Sequence, residues 1–225
     1  MPPRTDGGRS QGDGVRFDLP RGVVGEIRQT AKPGRAEEAA KHVERALDLL
    51  ENEQPERAAD EADRAKAIAP RSPSVREILG LAWYAAEQWR RALSEMQAYR
   101  RMSGRLDENH VIADCQRALG HSERAVQEAE EALDGAVSDE VRAECAVVGA
   151  SALADLGRLE EALGLLRRIR TTVEVGRPFD LRVWYVTGDI LERLGRTEDA
   201  AREFRKILRH DPAAFDTRDR LAALR

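Results

Sequence analysis

Aromatic residues and cysteine are scarce in this sequence, and long apolar runs are missing. Phe, Trp and Tyr make up only 4% of the 225 residues, so a single thick core is not expected. No run of about 18 apolar residues is present to span a membrane, and the start lacks the apolar stretch of a signal peptide. The two cysteines, Cys115 and Cys145, show no disulfide-like spacing. We therefore predict a reduced, cytoplasmic protein without membrane contact.

An excess of basic over acidic charge is also missing over most of the chain. The net charge is −4, which argues against a protein dedicated to nucleic acid or anionic membranes. Residues 1–35, however, carry a net charge of +3, so the remainder carries −7. Because its first residues are polar and glycine-rich, we predict a disordered basic arm over 1–19 in front of an acidic body.

Strong helix formers, mainly Ala, Leu, Glu and Arg, dominate what is present. An alanine that follows a short charged cluster recurs at intervals of 34, 33, 37 and 38 residues. Small residues lie twelve positions before each of these alanines, where they let two helices approach closely. A glycine often lies five positions before, where a helix ends in a left-handed turn. The recurring alanines are Ala58, Ala92, Ala125, Ala162 and Ala200; the small residues are Ala46, Gly80, Ala113, Ala150 and Gly188; the glycines are Gly120, Gly157 and Gly195.

This pattern resembles the tetratricopeptide repeat family, in which Trp, Leu-Gly, Tyr, Ala, Phe and Pro recur in each unit. The best matches are Leu79-Gly80 with Trp83, and Trp184 with Gly188, Leu191, Ala200, Phe204 and Pro212. The first unit is the least regular, since Arg45 stands where leucine is usual. The resemblance extends to actinobacterial proteins of the family and implies a bacterial setting.

The resemblance implies an all-α fold, a right-handed superhelical solenoid of five helix pairs over residues 37–212. A short N-terminal helix and linker are predicted over 20–36, and a capping helix over 213–225. The predicted helices of the five pairs are 37–52 and 55–69, 73–87 and 89–103, 106–119 and 122–134, 139–156 and 159–171, and 180–194 and 197–210.

In this family the first helix of each pair lines a concave groove, and the resemblance places a partner-binding site there. The predicted groove residues are Leu81, Tyr84, His110, Asp114, Arg117, Val147, Ser151, Asp155, Arg182, Tyr185, Asp189 and Arg193, and the same positions also hold Ser74, Glu77, Asp107, Glu144 and Glu192. Tyr and acidic side chains at these positions suit a protein or peptide partner, including a basic one. We expect no metal and no cofactor.

One short segment, Asn109 to Cys115, holds the sequence's only candidate for catalysis. His110 and Asp114 lie four residues apart on one helix face, which can orient an imidazole. Cys115 points away from His110, and Arg117 cannot complete a metal site. Groove binding, an inert pair and catalysis all stay open for this segment, and we predict a protein that is not an enzyme.

The sequence thus predicts a non-catalytic scaffold or adaptor, with a monomer favoured. The alternative is an RNA- or ribosome-associated factor that uses the basic arm. A further expectation concerns the short helix at 20–31, whose stripe of Val23, Val24 and Ile27 matches the apolar first unit. We predict that it docks there and covers Val43, Leu47 and Leu50.

Overall fold

The computed structural model describes residues 17–224, so nearly all of the predicted basic arm lies outside the described residues. Within that range the chain forms twelve α-helices and no strand. None of these helices is both long and apolar enough to cross a bilayer. The helices are α1 Arg21–Thr30, α2 Ala36–Glu51, α3 Pro55–Ile68, α4 Pro73–Ala85, α5 Trp89–Ser103, α6 Asn109–Ala118, α7 Ser122–Asp134, α8 Asp139–Asp155, α9 Leu159–Leu166, α10 Pro178–Arg193, α11 Thr197–His210 and α12 Thr217–Ala223.

Local sequence signals explain where several helices begin. Pro55, Pro73 and Pro178 each occupy the first helical turn, where a missing N–H costs nothing. Ser72 and Ser138 cap α4 and α8, each hydroxyl accepting a hydrogen bond of 3.2 Å from a backbone N–H three residues later. The helix starts are therefore fixed by residues next to them in sequence.

The helices stack as five antiparallel pairs, from α2–α3 to α10–α11. The first helices of neighbouring pairs contact one another, whereas the second helices contact mainly the helices before and after them in sequence. Because the first helices lie closer together, the stack curves with those helices on its inner, concave side. The all-α repeat solenoid predicted from the sequence is confirmed, and even the irregular first unit forms its pair.

Small residues lie where the helices of a pair come closest. All five recurring alanines are completely buried, from Ala58 to Ala200. A Cβ atom added to Gly80 would lie 2.2 Å from Met96 Sδ, and one added to Gly188 would lie 2.5 Å from Phe204 Cε1. Larger side chains at these two positions would force the pairs apart.

The left-handed turn predicted for three units forms in all five. Gly120, Gly157 and Gly195 have φ angles of 80°, 76° and 73°. In the first two units Glu53 and Glu87 take the same position, with φ angles of 55° and 56°. The fold therefore imposes this turn even where no glycine is present to favour it.

Three helix bounds differ from the predicted ones by three residues or more. Helix α9 ends at Leu166 rather than at 171, because the β-branched segment 169–173 disfavours a helix, and Ile169 is consequently only half-buried. Helix α6 begins at Asn109 rather than at 106, after the left-handed turn that ends α5. Helix α12 begins at Thr217 rather than at 213, because a turn with Phe215 at a φ of 54° precedes it.

Candidate functional site

The twelve predicted groove residues all lie on α4, α6, α8 and α10, the first helices of units two to five. None of them is buried, although other residues of the same four helices belong to the core. Asp155 and Arg193 are exposed and the other ten are half-buried. The repeat register therefore places these side chains on an accessible concave surface.

Polar contacts join the groove residues of neighbouring units. Tyr84 Oη on α4 donates a 2.7 Å hydrogen bond to Asp114 on α6. Arg117 Nη1 donates to the other oxygen of Asp114 at 3.1 Å, and its Nε donates to Asp155 on α8 at 2.7 Å. One chain of contacts thus runs across units two, three and four, and it holds these side chains in defined orientations.

The contacts continue toward the C-terminal end of the groove. Arg182 on α10 donates from Nε to Glu144 on α8 at 2.8 Å. Arg193 donates from Nη2 to the carbonyl oxygen of Ala154 at 2.7 Å. Charged side chains on one helix are therefore neutralised or hydrogen-bonded by the next helix of the stack.

Tyr185 and Asp189, at the C-terminal end of the groove, contact α12 and the turn that precedes it. Tyr185 Oη donates to Asp216 at 2.6 Å, and its ring lies 4.6 Å from the exposed ring of Phe215. Arg220 on α12 pairs with Asp189 at 2.8 Å. These two groove residues contact the C-terminal helix in the way that earlier units contact one another.

The pair that sequence spacing placed on one helix face, His110 and Asp114, does not form a hydrogen bond. Asp114 instead accepts from Tyr84 and Arg117, and within residues 17–224 the buried His110 Nδ1 has no partner. Burial lowers the pKa of His110, so the imidazole is neutral near pH 7. Cys115 is fully buried, and its burial raises the pKa of the thiol to about 12.

This local geometry does not resemble a nucleophilic or metal site. A thiol with so high a pKa is a weak nucleophile at neutral pH. Across residues 17–224 no group of three or more His, Cys, Asp or Glu side chains could hold a metal ion.

Three carboxylates lie close enough to influence one another at the junction of units two and three. Burial and the neighbouring charge of Asp107 raise the pKa of Glu77. Burial, Glu77 and Asp107 together raise the pKa of Glu108 to about 7. Arg105 forms an ion pair with Asp107, and its positive charge partly offsets the repulsion among these carboxylates. We call Glu77, Asp107 and Glu108 the acidic cluster.

Sequence reasoning placed Glu77 and Asp107 at groove positions but missed Glu108. Glu108 directly precedes α6, one residue after a groove position. The signal that could have found it is the acidic pair Asp107-Glu108 beside that position. Its raised pKa depends first on burial and then on Glu77, which is distant in sequence and close only in the folded stack.

Comparisons with known proteins agree with this architecture. A family model described as a tetratricopeptide repeat matches residues 147–215. TTC0263, a thermophilic TPR protein of Thermus thermophilus, is similar with a TM-score of 0.62 and 18% identity, over 83% of this chain and 98% of that chain. YrrB, a TPR protein with an unusual peptide-binding site, is similar with a TM-score of 0.56 and 18% identity, over 80% of this chain and 90% of that chain. Human IFIT1, in a dimer with m7Gppp-AAAA, is similar with a TM-score of 0.59 and 15% identity, over 90% of this chain and 50% of that chain.

No curated protein sequence matches this chain. The stacked pairs and the concave first helices define a helical-repeat solenoid protein. The match over 147–215 identifies that part of the chain as tetratricopeptide repeats. At 18% identity or less, the structural likenesses establish the fold alone.

Proposed function

We propose that this protein is a non-catalytic adaptor that binds a basic segment of a partner protein along the concave face of units two to five. The observation that carries this proposal is the acidic cluster of Glu77, Asp107 and Glu108. Burial, and then repulsion, hold two of its carboxyl groups at raised pKa values. A lysine or arginine from a partner would relieve that repulsion and form charge-assisted hydrogen bonds.

The rest of the concave face supports the same ligand class. Leu81 and Val147 are half-buried and offer apolar contact beside the charged groups. The contacts among Tyr84, Asp114 and Arg117 fix their orientations, which lowers the entropic cost of binding. In the family, an Asn at the position of Asp114 helps to hold a C-terminal carboxylate, and a negative charge there opposes that ligand. YrrB, which has a peptide-binding site, lends support to a peptide as the ligand class.

A fluorescently labelled lysine-rich peptide tests the proposal directly. Anisotropy titrations would compare it with a peptide that has Gln in place of every Lys. We expect the lysine peptide to bind and the glutamine peptide to bind at least about tenfold more weakly, because hydrogen bonds to charged groups contribute about 1.5–3 kcal/mol each.

A matched pair of variants locates the binding site. Glu77→Gln with Glu108→Gln removes two groove charges, and Glu130→Gln with Glu160→Gln removes two exposed charges from second helices. We expect the groove variant to lose at least about tenfold in affinity and the control to lose little. Equal losses in both variants would mean that only net charge matters, and the proposal would be wrong.

RNA association is the other outcome to be distinguished. A single-stranded RNA oligonucleotide would be titrated under the same conditions, with salt varied. RNA that binds more tightly than the lysine peptide, and weakens steeply with salt, would contradict a peptide-binding groove.

A further inference from the structure

Helix α1 lies on the concave side of the stack rather than at its end. It contacts α2 and α4, which are the first helices of units one and two. The opposite side of these two helices is covered by α3, which packs against both. Helix α1 touches α2 and α4 together, and just after it Lys32 N donates to the carbonyl oxygen of Ile68, at the end of α3, at 3.0 Å. Helix α1 therefore lies across the inner face near the turn between α3 and α4.

The residues beneath α1 are those that line the groove in later units. In the same repeat register, unit one places Ala40, Val43, Leu47 and Leu50 at groove positions. Ala40 and Val43 are buried, in the same apolar cluster as the fully buried Ile27 of α1, and Leu47 and Leu50 pack against this cluster. The helix that the sequence predicted to dock on unit one therefore covers the groove positions of that unit.

A carboxylate of α1 also uses the groove's polar groups. Glu26 Oε1 accepts a hydrogen bond from the backbone N–H of Ser74 at 2.9 Å, and Oε2 accepts from Ser74 Oγ at 2.8 Å. Ser72 Oγ donates to the same carboxylate. The start of α4 is where unpaired N–H groups and the helix dipole favour a negative charge.

Helix α1 is nevertheless built from weak helix formers. It has ten residues and includes Gly22 and Gly25. A Cβ atom added to either glycine would meet nothing within 4 Å, so close packing does not require them. Two unneeded glycines lower the helix propensity of α1, and only Ile27 is fully buried among its residues.

From these contacts we infer that α1 is the chain's own ligand for the N-terminal end of the groove, over unit one and the start of α4, and is released when a partner binds there. The partner segment that fits this site is a short amphipathic helix with a carboxylate followed by an aliphatic residue, as in Glu26-Ile27. The site borders the acidic cluster, because the charge of Glu26 also contributes to the raised pKa of Glu77, but the cluster suits a basic segment and this site does not. This inference rests on the proposed function only in one respect, since both place a ligand on the concave face.

The probe for the test is a labelled peptide of residues 17–31 that carries Gly22→Ala and Gly25→Ala, changes that favour its helical form. It would be titrated against the full chain and against the full-chain variant Ile27→Asp, which places a charge in the apolar site of α1. We expect the peptide to bind the variant at least about tenfold more tightly, because its apparent affinity depends on the fraction of open groove. A peptide that carries Glu26→Ala and Ile27→Asp should not bind.

Two further full-chain variants keep the test decisive if Ile27→Asp fails to fold. Glu26→Ala removes the polar anchor, and Gly22→Ala with Gly25→Ala stabilises the docked helix. We expect amide hydrogen exchange across residues 21–30 to become faster in the first and slower in the second, and peptide binding to rise and fall accordingly. Equal peptide affinity for all folded variants would overturn the inference. The lysine-peptide titrations test the acidic cluster separately, so failure of one proposal can be told from failure of the other.

Discussion

The turns of units one and two carry a conformational cost that glycine should remove. Glu87 N donates to the carbonyl oxygen of Tyr84 at 2.9 Å, and Gln88 N donates to that of Trp83 at 2.8 Å. Gly120 and His121 make the same two contacts in unit three, to Arg117 and Gln116. The turns are therefore the same, but Glu53 and Glu87 adopt the left-handed conformation with a side chain. This conformation costs a residue with a Cβ about 1–2 kcal/mol.

Glu53→Gly with Glu87→Gly should therefore stabilise the protein. The relief is offset by about 0.5–1 kcal/mol of extra backbone entropy that each glycine loses on folding. We expect a net gain of about 1–2 kcal/mol for the double variant, measured by urea unfolding. Glu130→Gly, at an exposed site inside α7, is the control and should cost about 1 kcal/mol. A double variant that is no more stable than the parent would refute the reasoning.

The other predictions concern packing, pH and a hydrogen bond. Ala125→Leu or Ala162→Leu should cost about 1–3 kcal/mol in thermal or urea unfolding because both sites are fully packed, and an unchanged melting temperature would mean that the register is wrong. Since the folded-state pKa of Glu108 is raised to about 7, its carboxyl group favours the folded state at low pH, and this contribution is lost as pH rises through 7. The free energy of unfolding of Glu108→Gln should therefore exceed that of the parent by a margin that grows by about 1–2 kcal/mol from pH 5 to pH 8. This value is reduced for the partial exposure of the side chain to solvent. A margin independent of pH would count against the raised pKa of Glu108. Tyr84→Phe should cost about 1 kcal/mol in urea unfolding, because it removes the hydrogen bond to Asp114 from a half-buried site, whereas no change would show that the contact is not formed in solution.

The sequence by itself determined the repeat. The recurring alanines, the small residues twelve positions earlier and the terminal glycines each act on their own helix or on the next one. Such constraints are local and periodic, so their spacing predicted the helix pairs. The family resemblance then indicated the accessible face on which Tyr84 and Asp189 lie. The sequence also identified the apolar stripe of α1, because Ile27 lies at a helical spacing from Val23.

Only the tertiary structure decided which side chains meet. Asp114 pairs with Tyr84 of the neighbouring α4 and with Arg117 rather than with His110. Glu26 reaches Ser74 from 48 residues away in sequence. These contacts depend on the distances and rotations between stacked helices. The repeat period fixes the order of the helices in the stack, but the packing of unlike side chains fixes the distances between them.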